Sequence, residues 1–64
     1  MTHLAKMYEA MPAKDAAERM DQMEEPLILK ILLRIKPKTG AKILEEMKPS
    51  RAAKLSEKLL KVIP

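Results

Sequence analysis

Aromatic side chains are nearly missing from this sequence, and cysteine is missing altogether. Tyr8 is the only aromatic residue among the 64, and the cysteine count is zero. Without cysteine, a disulfide framework, a thiol nucleophile and a zinc–thiolate site are excluded. With a single aromatic residue, any core must be filled by Ala, Leu, Ile and the six Met residues, whose flexible side chains pack adaptably.

Long apolar runs are missing as well. Charged residues make up 34% of the chain, and no apolar run approaches the roughly 18 residues of a membrane span. The opening stretch, MTHLAKMYEAM, lacks the apolar region of a signal peptide. We therefore predict that this segment does not insert directly into a membrane.

The sequence also lacks a combination of residues suited to catalysis. His3 is the only histidine, and Ser50 and Ser56 are not predicted to lie near it, so no nucleophile has a supporting base. Four acidic residues could gather a hydrated magnesium ion: Glu18, Asp21, Glu24 and Glu25. No loop fixes their oxygens, so a solvated acidic face is the favoured interpretation. We predict a non-enzymatic protein with no catalytic, cofactor or metal site.

What the sequence does contain is a 12-residue repeat. Shifting the sequence against itself by 12 aligns five octets: LAKMYEAM from Leu4, AAERMDQM from Ala16, ILKILLRI from Ile28, GAKILEEM from Gly40 and AAKLSEKL from Ala52. We number the places in each octet from one to eight. Places one, four, five and eight are mostly apolar, which is the spacing of one helix face, whereas place three is always charged.

Prolines between the octets predict where each helix ends and the next begins: Pro12, Pro26, Pro37 and Pro49. Proline suits the first turn of a helix and disfavours helical conformation in the residue before it. A continuous helix would also rotate its apolar stripe by about 120° per repeat, which no single partner could cover. We predict an all-α array in which each short helix stacks on its sequence neighbours, with helices near 3–11, 13–24, 26–35, 38–47 and 50–62.

Charge is distributed unevenly between two parts of the chain. Residues 1–25 contain three basic and six acidic residues, a net charge of −3, and residues 26–64 contain ten and three, a net charge of +7. One interpretation is solvated faces that keep a small domain soluble. The alternatives are an acidic partner docked on the basic part and head-to-tail self-association. Nucleic-acid binding is not expected, because no aromatic stacking platform is present.

Leu33 departs from the repeat, since its equivalents in the other octets are all acidic: Glu9, Asp21, Glu45 and Glu57. A leucine at a place that meets water predicts either cover from a terminal helix or an interface with another chain, a homodimer included. The candidate partner-binding residues are therefore Leu33, the terminal Val62 and Ile63, and five cations of the basic part: Lys30, Arg34, Lys38, Lys42 and Lys54.

Several phrases resemble a known family: LAKMYEAM, the pair Ala16-Ala17, and MKP followed by Ala52-Ala53 and Leu59. They resemble the intracellular N-terminal module of MgtE magnesium transporters and, more closely, the C-terminal domain of MotE-type flagellar motor chaperones, which carries the same module. The resemblance runs from Leu4 to about Lys61. It implies a right-handed superhelix of short helices that binds a flagellar stator protein or, as the alternative, regulates a magnesium transporter at the cytoplasmic face.

The sequence differs from these families in two respects. MotE-type chaperones carry an N-terminal membrane anchor or signal and a coiled coil, which are not seen here, so we expect these residues to be one domain of a longer bacterial protein that is periplasmic or membrane-associated. The transporter module relies on an acidic surface, whereas this chain has a net charge of +4. The expected function is therefore that of a chaperone-like domain with a protein partner and no cofactor.

Overall fold

Short helices account for nearly all of the chain. The computed structural model describes residues 2–62, which form five α-helices: α1 (Thr2–Ala10), α2 (Ala13–Met20), α3 (Glu25–Arg34), α4 (Pro37–Glu46) and α5 (Pro49–Val62). Within that range there is no strand, and no helix is long and apolar enough to cross a membrane. The predicted all-α chain of five helices is confirmed.

The prolines lie where the helices begin. Pro37 and Pro49 are the first residues of α4 and α5, Pro26 is the second residue of α3, and Pro12 directly precedes α2. A proline in the first turn sacrifices no hydrogen bond, because the N–H that it lacks has no partner there. As a result, α2 to α5 begin at residues 13, 25, 37 and 49, each 12 residues after the one before.

Helix α2 is shorter than predicted, since it ends at Met20 and not at residue 24. The N–H groups of Gln22 and Met23 donate to carbonyls three residues back, which closes the helix in a tighter turn. The Arg51 guanidinium of α5 then donates to the carbonyl oxygens of Asp21 and Met23, at 3.4 and 2.5 Å. A contact with a distant helix therefore replaces the last turn that the sequence pattern predicts.

Each helix packs mainly against its second neighbour along the chain. The largest interface joins α2 to α4, followed by α1 with α3 and α3 with α5, whereas α4 and α5 share a smaller one. The prediction that helices stack mainly on sequence neighbours is therefore wrong. Residues between helices, such as Ile35 and Lys36, have extended backbones. An extended linker separates each helix from the one before it, so the two pack less closely than second neighbours do. The helices form two rows, α1–α3–α5 and α2–α4.

The core lies along α3, which packs against both α1 and α5. This position explains why α3 is apolar on nearly all sides. No charged residue is buried in the part of the chain that the structure describes. The buried apolar side chains are Ala5, Tyr8, Ala16, Ala17, Met20, Ile28, Ile31, Leu32, Ile35, Ile43, Met47 and Leu55.

The buried face differs between the first two helices and the last two. In α1 and α2, places two and five are buried: Ala5, Tyr8, Ala17 and Met20. In α4 and α5, place four is buried instead, at Ile43 and Leu55, whereas the place-two residues Ala41 and Ala53 are exposed. Met7, at place four of α1, is 51% exposed, so the prediction that it belongs to a covered stripe is wrong. The reason is that α1 packs mainly against one helix, α3, and leaves its other flank open.

Candidate interaction surface

The five cations predicted to meet a partner are all exposed: Lys30, Arg34, Lys38, Lys42 and Lys54. Three of them occupy place three of α3, α4 and α5, and we call Lys30, Lys42 and Lys54 the place-three lysines. Place three is charged and exposed because it lies away from the apolar places of each helix. The Arg34 guanidinium donates to the Lys30 carbonyl of its own helix at 3.3 Å.

Little of this positive charge is neutralised within the molecule. In residues 2–62 the one ion pair joins Lys58 to Glu25. The hydrogen bond from Lys58 is the main cause that lowers the pKa of the Glu25 carboxyl. Desolvation opposes this effect, and the charges of Lys58, Arg51 and Lys54 add to the lowering. The place-three lysines, along with Arg34 and Lys38, lie outside ion-pair distance of any described carboxylate.

An apolar groove of about 300 Å³ lies beside Leu33. Its walls come from the end of α3, the first turns of α4 and the C-terminal part of α5. Every lining residue is apolar or glycine: Leu32, Leu33, Ile35, Pro37, Gly40, Ala41, Leu44 and Leu59. We call this feature the α4 groove. Leu33 is 42% exposed, so within the described residues no terminal helix folds back far enough to bury it.

The α4 groove exists because α4 uses only one flank to pack on α2. Ile43 is buried on that flank, whereas Ala41 is exposed and Leu44 is half-buried on the other. A Cβ added to Gly40 would lie 3.8 Å from Ile35 Cδ1, an ordinary contact, so the groove does not depend on a glycine for close approach. Five exposed cations stand next to lining residues in the sequence: Arg34, Lys36, Lys38, Lys42 and Lys58.

One polar contact fixes the start of α4 against α1. The Lys36 backbone N–H donates to Glu9 Oε2 at 2.8 Å. Lys36 precedes the first turn of α4 and makes no side-chain cap of its own, so the Glu9 carboxylate also places negative charge near the positive end of that helix. Sequence reasoning missed this contact, and the Arg51 contacts, because both join residues that are about 30 positions apart.

Two candidate residues fall at the edge of the described chain. Val62 is the last residue of α5, but its side chain and the whole of Ile63 lie outside the described residues. Within residues 2–62 no three His, Asp or Glu side chains lie close enough together to hold a metal ion. The predicted acidic face of Glu18, Asp21, Glu24 and Glu25 is therefore not gathered into a ligand cluster.

The arrangement is suited to non-covalent binding. Apolar groove residues can be removed from water by a docked chain, and exposed cations can attract an acidic one. Compared with known proteins, the chain matches no family model, no curated protein and no solved structure.

Proposed function

We propose that this chain is a non-enzymatic protein–protein interaction module. The observation that carries the proposal is the positive charge of residues 26–64, a net +7, of which the described structure neutralises little. Charge of one sign on an accessible surface steers an oppositely charged partner and sets its orientation. An acidic protein segment is the partner that this chemistry recognises.

The more specific role is that of the partner-binding domain of a MotE-like flagellar motor chaperone, which holds a stator protein. The resemblance in LAKMYEAM, Ala16-Ala17 and Met47-Lys48-Pro49 supports this role. Helix starts spaced by 12 residues, with packing between second neighbours, support the further proposal of a right-handed superhelical array like the MgtE N-terminal module. On this proposal the place-three lysines, with Arg34 and Lys38, contact the stator protein.

Co-purification with the stator protein of the same bacterium tests the proposal. The variant Lys30→Glu/Lys42→Glu/Lys54→Glu should lose the stator protein, because the contact surface changes sign. The matched control is Lys6→Glu/Lys14→Glu/Lys61→Glu, which changes the net charge by the same amount at exposed positions and should retain it. The proposed contact would be excluded if both triple variants recovered equal amounts of the stator protein, or if the unaltered chain recovered none.

A magnesium titration separates this role from the alternative, the regulatory module of an MgtE-type transporter. We expect the thermal unfolding midpoint to respond equally to magnesium chloride and to potassium chloride of the same ionic strength, because only screening acts. A rise that is specific to magnesium would show linkage to binding and would favour the transporter module.

A further inference from the structure

Helix α4 fills a cleft within its own molecule. The N–H of Lys36 donates to Glu9 at the end of α1, and the largest helix interface joins α4 to α2. Tyr8 in α1, and Ala17 and Met20 in α2, are buried. The cleft that receives α4 is therefore made by the end of α1, by α2 and by the residues that lead out of α3.

The residues of the α4 groove lie two repeats, or 24 positions, after residues near the cleft that receives α4. Subtracting 24 from each groove residue gives Tyr8, Glu9, Met11, Ala13, Ala16, Ala17, Met20 and Ile35. Five of these are core residues, and Met11 and Ala13 pack against the core. The remaining one, Glu9, makes the contact with Lys36. In the repeat register the groove therefore corresponds to covered residues of α1, α2 and the turn after α3, with Leu33 in place of Glu9 making it more apolar.

A helix that fits the groove must carry side chains like those that α4 buries in its own cleft, at the same places of the repeat. The residues that α4 and the following turn bury are Gly40, Ile43 and Met47, at places one, four and eight. In α1 the same places hold Leu4, Met7 and Met11. Met7 is 51% exposed, whereas Leu4 and Met11 are half-buried and pack against the core, so this flank of α1 is apolar and Met7 is its exposed residue. In α2 the exposed Arg19 occupies place four, so α2 does not fit.

We propose that the α4 groove of one copy receives α1 of a second copy, so that the chains associate head to tail. Net charge favours this orientation, because residues 1–25 carry −3 and residues 26–64 carry +7. The inference goes beyond the proposed function, since it concerns the groove and α1, whereas the stator protein is assigned to the place-three lysines.

This mode of association has two physical consequences. The two surfaces differ, so each added copy leaves one groove and one α1 open, and the assembly grows unless it closes into a ring. One short helix in one groove buries less than the roughly 1,200 Å² at the lower end of stable interfaces. The association is therefore weak and depends on protein concentration.

Two single substitutions test the proposal by blocking one surface each. Met7→Glu puts a charge on the docking flank of α1, and Ala41→Glu puts one inside the groove, where an unpaired charge is costly. Both positions are exposed, so both variants should fold, as circular dichroism would show. Light scattering between about 10 μM and about 1 mM, a range set for weak association, should show the mass of the unaltered chain rising and each variant remaining monomeric.

An equimolar mixture of the two variants gives the decisive result. Met7→Glu keeps its groove and Ala41→Glu keeps its α1, so together they form one intact interface and should yield a dimer that grows no further. The dimer grows no further because its free α1 carries Met7→Glu and its free groove carries Ala41→Glu, and these two charges repel each other. Gln22→Glu, which adds the same charge at an exposed residue of the turn after α2, should associate like the unaltered chain.

Three results would overturn the proposal: a monomeric unaltered chain over the whole range, association that persists in either variant, or a mixture that stays monomeric. Loss of the stator protein is a separate measurement. If Met7→Glu still co-purifies with the stator protein but no longer self-associates, both proposals stand. If only one of the two interactions is observed, the other proposal alone fails.

Discussion

Ala17 and Ala53 occupy the same place in the repeat, yet Ala17 is fully buried and Ala53 is exposed. The reverse holds at place four, where Met7 in α1 is 51% exposed and Ile43 in α4 is 0% exposed. Helices α1 and α2 bury the flank that packs against a later helix, α3 or α4. Helices α4 and α5 bury the flank that packs against an earlier helix, α2 or α3. A repeat therefore decides which residues are apolar, whereas the position of a helix in its row decides which of them are covered.

Substitution at place four should give the largest difference between the two ends. Ile43→Ala removes fully buried atoms, and large-to-small changes of this kind cost about 2–5 kcal/mol. That approaches the whole stability of a domain this small, about 3–5 kcal/mol, so the variant should be at most marginally stable at room temperature. Met7→Ala should change the free energy of unfolding by no more than about 0.5 kcal/mol, as measured by urea titration. Similar losses in both variants would remove the distinction between the ends.

Replacing the alanine at place two with leucine should lower stability in α2 and not in α5, the reverse of the effect at place four. Ala17→Leu inserts a larger side chain at a fully buried position, at a cost of about 1–3 kcal/mol. Ala53→Leu places the same side chain at an exposed position of α5 and should leave the urea midpoint nearly unchanged. If Ala53→Leu proved as destabilising as Ala17→Leu, the flank of α5 that we describe as open would have to be covered.

Arg51 of α5 contacts the turn after α2, so its removal should lower the stability more than the removal of Arg34. Arg51→Ala removes the guanidinium that donates to the Asp21 and Met23 carbonyls, and charged hydrogen bonds of this kind are worth about 1.5–3 kcal/mol. Because Arg51 is only partly buried, we expect a loss near the lower end of that range. Arg34→Ala, which loses a bond within its own helix, should fall below about 0.5 kcal/mol. Equal losses in thermal unfolding would contradict the role given to Arg51.

The smallest effect is a gain in stability at Gly40. Its backbone φ is not in the positive region, and an added Cβ would meet Ile35 and Leu32 at 3.8 and 3.9 Å. Gly40→Ala should therefore stabilise the protein by about 0.5–1 kcal/mol, through the higher helix propensity of alanine. A loss of stability would mean that α4 and its neighbours approach more closely at this residue than the distances indicate.

The local features of this fold were accessible from the sequence. Pro37 and Pro49 begin helices because proline fits a first turn, and the charged place three lies in water because the apolar places of each helix take the core. Leu33 was recognised as an apolar residue at an acidic place, and it lines the α4 groove. These features follow from the spacing of residue types within about ten positions.

The long-range features were not accessible. Nothing in the spacing shows that α4 packs on α2 rather than on α3, because every helix carries an apolar stripe wide enough for either arrangement. The contact of Glu9 with Lys36 depends on that choice, as does the exposure of Met7. The turn at which α2 ends early is contacted by Arg51, a residue from a distant part of the chain, which donates to the Met23 carbonyl. In each case, tertiary packing decides between alternatives that the repeat leaves equal.

Thiol labelling tests the central claim most directly, since the sequence contains no cysteine of its own. Single variants Ala17→Cys and Ala53→Cys place one thiol at the same repeat place near opposite ends. We expect Cys at 53 to react with a thiol reagent at nearly the rate of an unfolded chain. Cys at 17 should react about 100-fold more slowly, because it becomes accessible only through unfolding that costs about 3 kcal/mol. Equal rates at the two positions would contradict the account.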